Sequence, residues 1–208
     1  MPTHKIKKGS LEVICGPMFS GKSEELIRRL RRAEIAQQNV AVFKHAIDDR
    51  YDINNVTSHN GTKLPAHATA NGAHLLEKVQ HENYTVVGID EVHFYTTDII
   101  NVICALVENG VRVIIAGLDM DYRGVPFGPM PTLLAIADSI TKLKAICTQC
   151  GADAHFSQLL AANRPTIVND EPLVLVGAKD KFTARCRGCH TIDKAFDYSH
   201  MKDTHSNG

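Results

Sequence analysis

LEVICGPMFSGKS, residues Leu11 to Ser23, decides how the rest of the chain is read. A short apolar run breaks into Gly16-Pro17-Met18-Phe19-Ser20-Gly21-Lys22-Ser23, and a helical pattern, Glu24 to Gln37, follows at once. A glycine-bounded loop between a strand and a helix turns successive backbone N–H groups inward, with the positive helix N-terminus behind them, and so cradles a polyphosphate. Gly16 and Gly21 take backbone angles that a side chain forbids, Lys22 reaches the β- and γ-phosphates, and the Ser23 hydroxyl holds Mg²⁺. This is a P-loop, and it predicts nucleoside-triphosphate binding. Cys15 reads as core rather than chemistry.

Composition narrows the partners. The 208 residues, 44% hydrophobic, suffice for one good core with a small satellite. Lys plus Arg and Asp plus Glu are 23 each, so no overall basic field gathers nucleic acid or anionic membrane. No run of eighteen apolar residues exists, and MPTHKIKKGS precedes no apolar h-region, so the reading expects neither a membrane span nor a signal peptide and places the chain in the cytoplasm.

The helix after the loop puts Leu26, Ile27, Leu30 and Ala33 on one face and leaves Arg28, Arg29, Arg31 and Arg32 mostly elsewhere. That basic cluster reads as a solvated face or a subunit contact in preference to a phosphate or nucleic-acid contact. NVAVFK, Asn39 to Lys44, is a second strand, and Asp48-Asp49-Arg50-Tyr51 falls where a loop leaves its C-terminal end, the ligand edge of open α/β sheets. There Asp48 joins a magnesium shell and Arg50 a phosphate, or both are surface charges in a turn. Asp52 to Thr69 is polar and turn-rich, with a hairpin signal at Ser58-His59-Asn60-Gly61, and predicts a mobile excursion. Asn71 caps a helix to about Val79.

YTVVGIDEVHF, Tyr84 to Phe94, is a buried-type strand ending in two carboxylates, the Walker B pattern. On a strand next to the P-loop strand, Asp90 is the Mg²⁺ carboxylate and Glu91 the acceptor of a proton from an attacking hydroxyl or water. His93 reads as a hydrogen-bonded support rather than a catalyst. A helix, Thr97 to Asn109, and another buried strand, Val111 to Leu118, complete an alternation that predicts parallel α/β architecture. DMDYRGVPFGPM, Asp119 to Met130, then brings Tyr122 and Phe127 to the ligand edge, either to sandwich a flat ring or to plug the loop onto the core. Pro131 starts a helix to about Ala137, and Ser139 to Ile146 is strand-like.

Cys147-Thr148-Gln149-Cys150 and Cys186-Arg187-Gly188-Cys189 are knuckles that present four thiolates to Zn²⁺, a closed structural site in a reducing compartment. Their separation exceeds the roughly 15–20 residues of a compact ribbon, so a structured loop must lie between them. His190 is a conceivable substitute ligand that four cysteines make unnecessary, and no βαβ context supports redox use. The loop itself reads as a strand, Pro172 to Gly177, returning through Ala178 to Phe182, and zinc at its base suits a lid over the nucleotide edge.

GPMFSGKSEELIRRL, the stretch Lys44 to Tyr51, IDEVHF, AGLDMDYRGVPFG, TKLKAICTQCG and LVGAKDKFTARCRGC, in this order over Ser10 to Phe196, closely resemble the type II, zinc-containing cytosolic thymidine kinases. The resemblance implies transfer of the γ-phosphoryl of ATP to the 5′-hydroxyl of thymidine, in a homotetramer inhibited by dTTP, for nucleotide salvage. It implies a catalytic Glu91 and an ATP site of Gly16, Pro17, Met18, Phe19, Ser20, Gly21, Lys22, Ser23, Asp90, Glu91, Val92 and His93, with Asp48 and Arg50. Mg²⁺ falls to Ser23 and Asp90, and Zn²⁺ to Cys147, Cys150, Cys186 and Cys189. Thymidine falls to Met18, Leu118, Tyr122, Phe127, Ser157, Gly177 and Phe182, with base selection largely by backbone groups of the loop between the knuckles, a lasso. Departures from the family pattern are His93 for Gln, Tyr95 and Tyr122 for Phe, Ser157 for Thr, and Phe182 for Tyr. Phe182 removes one hydrogen bond near the sugar or base, and His93 adds a pH-sensitive group.

The expected fold class is therefore α/β, a P-loop (RecA-like) mainly parallel sheet with flanking helices plus a small zinc-binding lasso domain. The expected divisions are a lead over 1–9, the nucleotide-binding body over 10–145, the zinc domain over 146–198 and a disordered tail over 199–208. The competing readings are a zinc-bearing P-loop ATPase acting on nucleic acid through the arginine helix, and a nucleotide-binding regulator without turnover.

Overall fold

The computed structural model describes residues 9–47, 55–57, 63–80, 82–160 and 181–191. Every second residue of its apolar runs faces the same way, and this alternation generates two cores, one on each side of a sheet. Strand β1 (Ser10–Cys15) leads through the loop into helix α1 (Lys22–Ile35), followed by β2 (Val40–His45) and three short strands, β3 (Asn55–Thr57), β4 (Lys63–Pro65) and β5 (His67–Thr69). Helix α2 (Gly72–Gln80), β6 (Val86–Asp90), a 3-10 turn (Val92–Phe94), α3 (Asp98–Glu108), β7 (Arg112–Gly117), α4 (Met130–Ile136) and β8 (Ser139–Lys142) continue the alternation. Asn71 caps α2 as expected, its Oδ1 accepting the His74 N–H at 2.9 Å.

Six strands form one sheet in the order β5-β2-β6-β7-β1-β8, and every pairing in it is parallel. On one face Val13, Phe43, Val87, Ile89, Val113 and Ile115 meet Leu75, Ile99, Ile103, Met130 and Leu133 from α2, α3 and α4. On the other, Ile14, Val42, Val86, Ile114 and Ala116 meet Leu26, Ile27, Leu30 and Ala33 of α1, with Val56 and Leu64 beside them. A parallel sheet needs this cover on both sides.

One expectation is corrected here. The strand carrying Asp90 does not adjoin the P-loop strand, because β7 runs between β1 and β6. Helix α1 spans the gap: leaving β1, it lies across the sheet until Leu30 packs over Gly88 of β6, where a Cβ would come within 2.5 Å of the leucine Cδ1. The region read as one strand to Ile146 also divides, into β8 and β9 (Ala145–Ile146). The hairpin expected around residue 60 has its arms, β3 and β4, paired antiparallel, while its turn lies outside the described residues.

Three more strands, β10 (Asp153–Ala154), β11 (Phe156–Leu159) and β12 (Phe182–Arg185), complete the described structure. They make two antiparallel pairs, β9 with β10 and β11 with β12, around a small cluster of Ala145, Cys147, Ala154 and Ala184. The predicted strand over 172–177 and the polar tail lie outside the described residues.

The basic face of α1 is largely spoken for. Glu25 holds Arg28 at 2.6 Å and Arg29 at 2.8 Å, while Glu12 holds Arg29 at 2.8 Å and Arg112 at 2.6 Å. Glu12 is pushed up by burial but pulled down further by Arg112 and Arg29, so it sits below the usual carboxylate range, and Arg28 together with Arg29 brings Glu25 down to about 2. This network ties α1 to β1 and β7, as a solvated structural face does.

Candidate functional site

The P-loop lies at the C-terminal end of β1, where an open α/β sheet leaves a crevice. Gly16 has φ 140°, and a Cβ there would stand 2.4 Å from the Leu143 carbonyl oxygen, so no side chain fits. Gly21 caps α1 in the left-handed region with φ 83°, and it brings no side chain to the first-turn N–H groups that face a phosphate. Lys22 Nζ and Ser20 Oγ both donate to the Pro17 carbonyl at 2.8 Å, closing the loop on itself. Phe19 forms the tip, partly exposed, with φ 65°. Pro17 is buried beneath it.

Across the crevice, Ser23 Oγ donates to Asp90 Oδ2 at 2.9 Å. Two oxygens of the types that bind Mg²⁺ therefore meet at the foot of the loop, one from the first turn of α1 and one from the end of β6, although β7 separates β6 from the strand that leads into the loop. Asp90 is buried, and its Oδ1 accepts the N–H of Glu91 at 3.0 Å. Glu91 turns the chain with φ 52°, uncommon for a residue with a side chain. Val92 is fully buried in the core. His93 is buried as well. Its Nδ1 accepts the Leu118 N–H at 3.1 Å, and its Nε2 lies 3.5 Å from Glu91 Oε2.

The loop after β7 is held by an aspartate. Asp121 Oδ1 accepts the N–H groups of Arg123 at 2.8 Å and Val125 at 3.1 Å, while its Oδ2 binds the Arg123 guanidinium at 2.8 Å. The loop's two aromatics then part company. Phe127 packs on His93 with centroids 4.6 Å apart and meets Phe94 edge-on at 6.1 Å, whereas Tyr122 faces Phe182 of β12 at 6.5 Å. At the root of the same loop, the buried Asp119 pairs with Lys142 at 2.7 Å beside Cys15. Burial, with the Asp119 charge added, pushes the Cys15 thiol up to about 11, which suits its reading as core.

Ser157 joins the nucleotide loop to the cysteine-bearing part. It is buried in β11, and its Oγ accepts the Met18 N–H at 3.0 Å. The four cysteines expected as ligands do come together: their sulfurs all lie within 4.8 Å of one another, with Cys150 and Cys186 at 3.6 Å. Hydrogen bonding divides them. The backbone N–H of Cys186 pulls the Cys147 thiol down to about 6, and the hydrogen bond with Cys186 pushes Cys189 up to about 12. Four sulfurs at this spacing suit a tetrahedral thiolate-binding metal such as Zn²⁺. His190 stays out of the cluster, because its Nε2 engages the Tyr122 carbonyl at 3.0 Å and its ring stacks on Phe156 at 4.5 Å. Burial holds its imidazole below the usual value even against that carbonyl.

Of the residues assigned from sequence, Asp48, Arg50 and Gly177 lie outside the described residues. Apart from the four cysteines, the rest gather along one edge of the sheet: the P-loop, Asp90 to His93, the loop of Leu118, Tyr122 and Phe127, then Ser157 and Phe182. Sequence reasoning missed three links. Asp121 had a local signal, a carboxylate two residues before the first amide it caps. The His190–Tyr122 and Ser157–Met18 contacts had none, because they join residues 68 and 139 positions apart. A family model described as thymidine kinase matches residues 9–190.

Proposed function

The chain belongs to the thymidine kinase family, is a thymidine kinase, and takes ATP and thymidine as substrates, and from that premise we propose how its residues divide the work. Backbone N–H groups of Gly16 to Ser23 and Lys22 bind the ATP phosphates and stabilise the negative charge on the phosphoryl group in transit. Thymidine O5′ attacks the γ-phosphorus as the bond to the β,γ-bridging oxygen breaks and ADP leaves, while the 5′-hydroxyl proton passes to the Glu91 carboxylate. Ser23 and Asp90 hold Mg²⁺, which when bound supplies neutralisation of the phosphate oxygens. Val92 and His93 back the strand end behind them, and Asp48 and Arg50 add to the same edge. Most of the rate enhancement is then positioning and electrostatics.

The observation that carries this reading is the 2.9 Å contact of Ser23 with Asp90, which supports a single phosphoryl-transfer centre made from the first turn of α1 and the end of β6. Leu118, Tyr122, Phe127, Ser157 and Phe182, with Met18 and Gly177, form the thymidine pocket. Cys147, Cys150, Cys186 and Cys189 would hold a structural Zn²⁺. The body over 10–145 and the zinc-bearing part over 146–198 are then separate structural units. As family attributes we also propose a cytoplasmic homotetramer inhibited by dTTP, checked by sedimentation and by thymidine turnover with added dTTP. Among the described residues, no helix is long and apolar enough to cross a membrane.

The test is ADP formation from ATP and Mg²⁺ with thymidine, run beside deoxycytidine, deoxyadenosine, single-stranded DNA and no acceptor. Turnover confined to thymidine and close analogues is expected, and DNA-driven turnover would sink the assignment of the acceptor. Glu91→Gln is expected to lower kcat by about 10²- to 10⁴-fold with ATP binding little changed. Near-normal turnover of that variant would remove Glu91 from its role.

A further inference from the structure

Given Glu91 as proton acceptor, we propose that His93 is a positioning residue that fixes the Glu91 carboxylate relative to the nucleoside-side loop over residues 118–128. The neutral imidazole has one acceptor nitrogen and one donor. The Leu118 N–H at 3.1 Å makes Nδ1 the acceptor, so the proton sits on Nε2, the nitrogen 3.5 Å from Glu91 Oε2. The His93 side chain is 0% exposed.

The loop grips residue 93 at three points. Leu118 binds the ring nitrogen, Phe127 packs on the ring face at 4.6 Å, and Gly128 lies against the backbone. Gly128 has φ +50°, and a Cβ there would stand 2.5 Å from the His93 carbonyl oxygen. On its other flank the ring meets Phe94 at 4.1 Å. Glu91 needs such a support, since with φ 52° it occupies a backbone region that persists only where its surroundings hold it. A proton acceptor displaced by a fraction of an ångström also loses much of its effect. Seating of the loop fixes the imidazole, and the imidazole fixes the carboxylate.

The role requires an acceptor and a donor in one flat side chain, which makes it separable from packing. A glutamine amide supplies both functions, whereas leucine fills space and supplies neither. Steady-state kinetics of His93→Leu and His93→Gln, each in the wild-type and the Glu91→Gln background, test it. His93→Leu is expected to lower kcat by about tenfold with both KM values within about threefold, and His93→Gln to recover most of that loss. In the Glu91→Gln background His93→Leu is expected to add less than about twofold, because there is no longer a carboxylate to place.

Equal damage from leucine and glutamine, a loss that appears in KM, or a full tenfold loss on top of Glu91→Gln would overturn the proposal. Normal turnover of Glu91→Gln alone would instead overturn the reading on which it rests. Should His93→Leu fail to fold, the imidazole ¹⁵N spectrum of the unmodified protein decides, with His93 signals assigned by their disappearance in His93→Gln. A neutral ring protonated on Nε2 is expected, and one protonated on Nδ1 would overturn the assignment.

Discussion

The sheet body and the cysteine-bearing part meet at one substrate edge but are held together by different means. In the body, two apolar layers enclose a six-stranded sheet, and Ile14, Phe43, Ile89, Ile114 and Ile115 are fully buried. Among the described residues, the cysteine-bearing part has a small cluster of three alanines and Cys147, with Phe156 and Leu159 of β11 also buried. Burial of apolar surface suffices for the first. In the second, four clustered sulfurs stand beside that small cluster, and a metal bound there would add its own free energy to the packing. The body thus rests on packing, whereas the cysteine-bearing part brings together four sulfurs that could hold a metal ion.

The largest expected effect tests that contrast directly. Binding of Zn²⁺ to such thiolate sets is worth about 10–16 kcal/mol, so strong chelation or Cys186→Ser should abolish thymidine-dependent turnover while ATP still binds the loop and the body still melts cooperatively. Joint loss of both halves on chelation would break the comparison. Next in size is Leu30→Ala. It opens a cavity between α1 and β6, should cost about 2–5 kcal/mol in denaturant unfolding, and should leave the metal content per folded chain unchanged. A cost below that range would mean that the α1 face is softer than its burial indicates.

Ser157→Ala is smaller and bears on the joint itself. It deprives the Met18 N–H of its acceptor and should cost about 1 kcal/mol, read as a severalfold rise in KM for ATP or thymidine. An unchanged KM for both would show that the halves are energetically independent. Smallest is acid titration of the arginine network. A carboxyl whose folded pKa lies below its unfolded value stabilises above the unfolded pKa and loses that contribution as the pH falls through the folded one. For Glu25 the window runs from 4.5 down to about 2, and Glu12 moves in the same direction. With part of the network solvated, the loss should stay below about 1 kcal/mol and shrink further in salt. Stability that rises on acidification through this window would contradict the assigned ion pairs.

The same division governs what was legible in the sequence. The phosphate loop was readable because its backbone angles demand particular residues at particular spacings, and Gly16, Gly21, Lys22 and Ser23 meet that demand locally. Alternating apolar runs likewise gave the strands and the α/β class. Strand order was not readable in the same way: the step over β7 depends on where α1 lands, and its landing on Gly88 is a matter of packing between distant positions. The cysteine pairs announced a four-sulfur cluster by spacing alone. What they could not announce is that His190, beside the last cysteine, reaches back to the Tyr122 carbonyl, or that Ser157 holds the nucleotide loop. His93 falls between these cases, since its reading as a hydrogen-bonded residue was legible but its contacts with Leu118 and Glu91 were not.

The short edge strand β8 has a consequence in the time domain. Among the described residues it pairs only with β1, through Ser139 to Lys142, and presents mostly exposed side chains, whereas β6 and β7 are flanked on both sides. Protection of backbone amides against deuterium should therefore decline from the middle of the sheet toward this border, with β8 exchanging first. The strand that feeds the phosphate loop lies one place in from the border, so transient opening of β8 would uncover β1 before any other buried strand. Isotope uptake would then report on the anchorage of the phosphate loop well before the molecule as a whole unfolds.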